Sequence, residues 1–405
     1  MWSRKCKGRK TLHLDAGSSS ARHSYRQIGG KAMTRAAGIF LLALAVLTAS
    51  AWAGQFRKAV YYHAGQLPRH VAAAQLTTSG NLDLVFADYL SDQVVTLLGK
   101  GDGTFQKPIQ FPAPSPISLA VGDFDEDGKQ DLAVVETSSG EGSIAIFLGD
   151  GAGHFKLSAT YRTGVAPSSV ATADFSGDGH LDLAVADNGG QSGKGSVMVF
   201  AGTGKGTFKT PITYKIAGAP WGIAAGDLRG DPHPDLAVTN LTGSVAVLLN
   251  DGTGHFLKPV SYNAGGGEVV DVKVADLRDD GRNDLVIANL SQGMVVLLNE
   301  GNGTFGKPAI YQPTFFNWQP PEACTVADFN LDGKLDVACA PGGNDSYVFY
   351  GKGNGKFGPG IEITTAIDHQ GGFSIASGDF NNDHAPDLAI PIEEYGKVAI
   401  LLNTK

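Results

Sequence analysis

The sequence lacks a long hydrophobic run. Its most apolar stretch, Ile39 to Leu47, falls far short of the ~20 residues a helix needs to span a bilayer. No cysteine stands directly after that stretch, which argues against a lipid anchor. Helix-forming runs are scarce after residue 53. Recognisable catalytic signatures are missing too. There is no Gly-x-Ser-x-Gly and no His-Glu-x-x-His. The stretch "GGQSGKGS" (189–196) fails as a phosphate loop, because Gly195 stands where Ser or Thr is required. No histidine pair has zinc spacing, so His70 and His369 read as surface or hydrogen-bonded residues.

What is abundant is glycine, 55 residues in 405. Without a collagen period, so much glycine points to many tight turns and therefore many short strands. The apolar fraction of 42% suffices for a globular core.

The segment "MTRAAGIFLLALAVLTASAWA" (33–53) reads as a secretory signal peptide. It has a basic start at Arg35, a short apolar core and small-residue sites for cleavage near Ala51 or Ala53. Residues 1–32 are basic and serine-rich. They read as a non-native extension ahead of a start at Met33, or as a long basic n-region. The expected product is secreted: extracellular, periplasmic or cell-surface associated. Residues 1–53 hold nine of the 32 Lys/Arg and one of the 40 Asp/Glu, so the remainder has a net charge of −16. That charge repels nucleic acid and anionic membranes and attracts cations. Export also permits a disulfide between Cys324 and Cys339, with two buried thiols as the alternative.

From residue 54 to 405 the chain repeats. Asp83, Asp131, Asp182, Asp235, Asp284, Asp336 and Asp387 recur at intervals of 48 to 53 residues. Gly-x-Gly-x-Phe ends at Phe105, Phe155, Phe208, Phe256, Phe305 and Phe357. Six residues on stands Phe111, Tyr161, Tyr214, Tyr262, Tyr311 or Ile363. A period near 50 means an array of like units. Each unit reads as four strands: "SLAVGDF", "DLAVVE", "SIAIFLG" and "FKLSATY" in the second copy. The predicted fold is all-β, a single domain forming a seven-bladed propeller of four-stranded antiparallel blades. The last unit stops after its third strand, while Gly54, Phe56 and Tyr62 supply the missing marker at the other end. The N-terminal strand is therefore expected to complete the last blade, tying the ring shut with no open edge. A β-solenoid is the alternative fold.

The loop "DFDEDGKQD" (123–131) carries Asp123, Asp125, Asp127 and Asp131, with the Lys129 carbonyl at its seventh place. Alternating carboxylates on a tight loop suit Ca2+, a hard cation that takes six to eight oxygens. The alternative is a plain turn, since Asp favours turns by bonding its own backbone. Three to five structural calcium sites are expected. The other full copies are Asp174, Ser176, Asp178, His180 and Asp182, and Asp328, Asn330, Asp332, Lys334 and Asp336. Asp379, Asn381, Asp383 and Asp387 keep the ligands but place His384 where glycine should bend. In Asp276, Asp280 and Asp284, Arg278 at the third place could supply the cation's charge internally. Loop 227–235, with Arg229 and Pro232, is expected to bind weakly or not at all, and loop 75–83 to be empty.

These motifs resemble the FG-GAP/VCBS repeat, the unit of the integrin α-chain seven-bladed propeller. The resemblance covers essentially all of 54–405 and implies calcium in the loop between the first two strands of a blade. It also implies ligand binding on the opposite face of the disc. No stalk or second domain follows the repeats, which departs from the integrin pattern. On the implied ligand face lie Trp221, Phe315, Phe316, Trp318 and Tyr395. Exposed aromatics are platforms for glycans or apolar partner surfaces, although Phe315, Phe316 and Trp318 could instead fill the propeller axis. The expected function is a non-catalytic, monomeric binding or adhesion module for a glycan or extracellular protein. A polysaccharide lyase or hydrolase and an assembly scaffold are the alternatives.

Overall fold

The computed structural model describes residues 55–405 except 139, 316–317, 344 and 365–371. The signal-peptide segment, Phe316 and His369 lie outside the described residues. Strands of four to nine residues dominate, because Val, Ile, Leu and Ala runs are cut by Gly, Asn and Asp clusters that turn the chain. Among the described residues the strands form seven four-stranded antiparallel sheets and one small hairpin, Asn299–Gly301 with Thr304–Phe305.

Blade 2 shows the plan. Its inner strand Pro116–Gly122 pairs with Asp131–Ser138, then Glu141–Gly149, then the outer strand Phe155–Arg162. The second strand is buried on both faces in every blade, as in Asp83–Asp88 and Asp235–Asn240. The outer strands alternate, with one face on the next blade and one in solvent. The inner strands of the other blades are Pro68–Ala74, Pro167–Ala173, Pro220–Gly226, Val269–Ala275, Pro321–Ala327 and Ala376–Gly378.

The expected closure requires correction. Val60–His63 does pair with Lys397–Leu401 as the outer strand of blade 7. Yet each blade remains an open sheet, and none is closed by hydrogen bonds. Ladder donors and acceptors lie in the plane of their own sheet, so blades stacked face to face meet mainly through side chains, with backbone bonds between their turns, as from Gly206 N to Phe124 O at 2.8 Å. They do so by a repeated aromatic contact. The Phe at the second place of an Asp loop meets the Gly-x-Gly-x-Phe ring of the following blade: Phe124–Phe208 at 5.6 Å, Phe175–Phe256 at 5.5 Å and Phe380–Phe105 at 5.7 Å. Phe329 meets Phe56 in the same way at 6.0 Å. The outer-strand tyrosines add a second edge-on ring, as in Tyr62–Phe105 at 5.3 Å and Tyr214–Phe256 at 5.6 Å. The contacts on Phe105 carry blade 7 onto blade 1, beside a backbone bond from Gly103 N to Phe380 O at 2.9 Å.

Cys324 and Cys339 face each other across the first two strands of blade 6 and form a disulfide.

Candidate functional site

All seven repeat aspartates, from Asp83 to Asp387, are fully buried. In every blade the Oδ1 atom accepts a backbone N–H at the end of the third strand, at 2.7–2.8 Å. In six blades Oδ2 accepts an N–H from the turn after the inner strand, for example Phe124 N at 2.8 Å and Phe380 N at 2.9 Å. The exception is blade 5, where Arg278 Nε donates to Oδ2. Asp83 makes the full set of bonds in a loop that has lost its other carboxylates. The ninth-place aspartate is thus a strut that satisfies backbone donors, whatever else it binds.

The first-place aspartate organises the bend. Asp123 accepts Asp127 N at 3.2 Å and Gly128 N at 2.9 Å, and Asp328 and Asp379 accept the equivalent pairs. Each bend needs two left-handed residues, at the fourth and sixth places. Glu126 (φ 60°) precedes Gly128, Leu331 (φ 58°) precedes Gly333, and Asn382 (φ 58°) precedes His384 (φ 69°). His384 therefore takes the glycine conformation. The fourth place escapes sequence reading because no residue type marks it.

Of the predicted ligands, Asp123, Asp125 and Asp131 bring carboxylate oxygens within 4.8 Å of one another. Three convergent carboxylates fit the donor chemistry of Ca2+. Asp127 is turned aside onto Lys129 Nζ, at 2.5 Å, and Asp332 onto Lys334 Nζ, at 3.1 Å. In loop 174–182, Asp174 takes N–H bonds from Gly177, Asp178 and Gly179, while His180 Nδ1 contacts Glu126 of the previous blade. Asn381 donates to Asp383 Oδ2 at 2.9 Å.

In loop 276–284 the third-place arginine turns onto the loop's own carboxylates. The Arg278 guanidinium reaches Asp284 Oδ1 at 2.7 Å and Asp280 Oδ2 at 3.1 Å. The internal cation lies between two of the three predicted ligands, Asp280 and Asp284, leaving no call for a metal charge. Arg278→Asp restores the alternating pattern. It should add one calcium per chain by metal analysis of the purified protein, and an unchanged count would refute this account.

Burial pushes the Asp336 and Asp387 carboxyls up to about 7, opposed by their N–H bonds and reinforced by the neighbouring loop carboxylates. A pKa raised on folding stabilises below the unfolded value and loses that stabilisation as pH climbs through the folded one. In chelator, the melting temperature should therefore rise on acidification from pH 7.5 to 5. With saturating calcium the trend should reverse, because an ion requires the carboxylates. Identical profiles with and without calcium would contradict both signs.

On the opposite face, Trp221 opens the inner strand of blade 4 and Tyr395 ends a short turn in blade 7, each 38% exposed. Phe315 is half-buried and meets Tyr347 edge-on at 6.2 Å, the position of a core ring. Trp318 is half-buried. Sequence reading missed Phe373, which is 43% exposed. It also missed Glu322 and Arg69, which join Glu393 in a charged group at the ends of blades 6, 7 and 1. There Glu322 and Glu393 are each pushed up to about 7, chiefly by burial. Arg69 lies 4.9 Å over the Tyr89 ring and 4.0 Å from Glu393 Oε1.

Fold and loops together define a repeat propeller with acidic turns on one face. The chain matches the FG-GAP-like repeat family over residues 76–134, 123–185, 174–238, 227–287, 276–339 and 328–390, and it belongs to that family. A search of curated proteins found no match. Among solved structures it is similar to the BP39L lectin from Burkholderia pseudomallei, at 16% identity and a TM-score of 0.64, covering 84% of this chain and 97% of that one. It is similar to an Agrocybe aegerita lectin described as recognising non-reducing terminal N-acetylglucosamine, at 22% identity and a TM-score of 0.53, covering 80% and 85%. It is also similar to BBS1N, solved in complex with ARL6DN, at 12% identity and a TM-score of 0.60, covering 87% and 97%. At these identities the likeness is one of fold. Among the described residues no helix is long and apolar enough to cross a membrane.

Proposed function

We propose that this protein is an exported, calcium-binding propeller that recognises a glycan through the face opposite the Asp loops, without catalysis. The observation that carries the reading is the division of labour between the two faces. One face carries the Asp-anchored turn in all seven blades, six of them with aspartate at the first, fifth and ninth places, as a structural element does. The other breaks the repeat with exposed Trp221, Phe373 and Tyr395 and with buried charge. Two of the solved structures of similar fold are lectins by their descriptions. Asp123, Asp125 and Asp131 would hold Ca2+, which supplies positive charge that lets the carboxylates converge. The complex of BBS1N with ARL6DN favours a protein ligand as the second reading.

The test is binding of the calcium-loaded protein to a panel of immobilised oligosaccharides, with Trp221→Ala and Tyr395→Ala beside it. Saturable binding to some glycans, weakened at least tenfold by one of these substitutions or by Phe373→Ala, is the expected result. Absence of any glycan binding, or turnover of a bound glycan, would refute the reading.

A further inference from the structure

On that reading of the face, the structure points to its ligand chemistry. We infer that the ends of blades 6, 7 and 1 form a site for an amino sugar, whose free ammonium group is received by Glu393 and Glu322.

The argument starts from an acceptor without a donor. Glu393 is 7% exposed, and its Oε1 atom is buried with no hydrogen bond. The nearest cation, Arg69 Nε, stops at 4.0 Å. Its guanidinium lies over the face of Tyr89, a cation–π contact that holds it off the carboxyl. A desolvated carboxyl oxygen in this state calls for a strong donor.

Charge selects which donor. Glu322 lies near enough for its charge to be felt at Glu393, and Glu268 adds a third carboxyl felt at Glu322. Lys273 is no counter-charge here, because it pairs with Asp271 at 2.7 Å. His70 is held neutral by burial. Glu322 and Glu393 thus share the charge of one arginine, Arg69. A neutral hydroxyl would satisfy the orphan oxygen but leave that imbalance. An ammonium satisfies both, with three N–H donors and a compact positive charge.

Shape selects a sugar. Gly342 packs against both the Glu322 carboxyl and the Phe373 ring: an added methyl would lie 3.2 Å from Glu322 Oε1 and 3.5 Å from Phe373 Cζ. The exposed ring therefore stands beside the carboxyl. A flat apolar surface next to a charged acceptor suits a pyranose, whose C–H face covers the ring while its amine meets the acid.

The experiment is titration calorimetry of the purified full-length protein in calcium against four probes: a glucosamine tetramer, its N-acetylated form, a glucose tetramer and a tetralysine peptide. Expected is binding of the glucosamine tetramer at least tenfold tighter than either other sugar. Glu393→Gln and Glu322→Gln should each remove most of that preference without lowering the melting temperature, since each removes a buried charge. Phe373→Ala should weaken all the sugars. Equal binding of free and N-acetylated tetramers, or a preference that survives both glutamine variants, overturns the inference. So does tetralysine binding as tightly with no loss in Phe373→Ala. Sugar binding that depends on Trp221 alone would sink this site while leaving the glycan reading intact. Absence of binding to any sugar would sink both.

Discussion

Chelation of the calcium-loaded protein is expected to lower its melting temperature by more than ~10 °C. Each ion at about 1,000-fold excess over its dissociation constant stabilises the folded state by about 4 kcal/mol. Loss of the three or more sites expected from the sequence would remove on the order of 10 kcal/mol, and a domain of this size shifts by a few degrees or less per kcal/mol. The physical basis is the carboxylate crowding at Asp123, Asp125 and Asp131, whose oxygens approach within 4.8 Å. Without a cation these charges repel, and Lys129 offsets only Asp127. Calorimetry in calcium and in chelator, with metal analysis of the same sample, makes the comparison. No shift, or no bound metal, would mean that the acidic loops are turns held by their own N–H bonds. The search for function would then return to their carboxylates.

The second large effect separates the strut from the ligand. Asp83→Ala is expected to cost about 3–5 kcal/mol, equally in calcium and in chelator. It strands the N–H groups of Leu76, Thr77 and Gly99 in the interior, and each orphaned donor costs about 1–3 kcal/mol. Asp123→Asn should behave in the opposite way: a loss in calcium that mostly disappears in chelator, because the amide oxygen can still accept the Gly128 N–H while Asp127 N keeps its bond to Asp125 Oδ1. Denaturant melts of both variants in both conditions decide the matter. A calcium-dependent cost at Asp83 would show that its loop binds metal after all. A calcium-independent cost at Asp123 would make that residue structural alone.

What could be read from the sequence follows from where the information is stored. The seven aspartates, the Gly-x-Gly-x-Phe turns and the split last blade are local patterns repeated at one period, so recurrence separates them from chance. The partnership of Phe124 with Phe208 or of Tyr62 with Phe105 uses the same residues, but it becomes visible only when neighbouring blades are stacked. The closure was misjudged for a related reason. Pairing of the N-terminal strand could be inferred from its markers, whereas the openness of each sheet depends on how blades face one another. The group of Arg69, Glu322, Phe373 and Glu393 was hidden more deeply. Its members come from three blades, two of them near opposite ends of the chain, and from the connections where the repeat is broken. Nothing periodic announces them, and a glutamate in a loop is ordinary until its burial is known. Phe315 was ambiguous because an aromatic in a long loop serves equally as core or as surface. Packing on Tyr347 decided it.

The shared last blade has a consequence for biosynthesis. Phe56 bridges to Asn403, and Arg57 N donates to Leu402 O, across nearly the whole length of the repeat region. Val60–His63, on leaving the ribosome, thus has no partner until Lys397–Leu401 follows. For the entire time of synthesis, Val60–His63 presents unpaired backbone with Val60 exposed even in the finished fold. Blades 1 to 6 can form in order behind it, but blade 7 must wait. Such a chain is vulnerable at a definite moment, when six blades are built and two loose ends have yet to meet. A second chain caught at the same stage could supply the missing strand, so crowding during synthesis, rather than heat afterwards, is where this architecture is most exposed to misassembly.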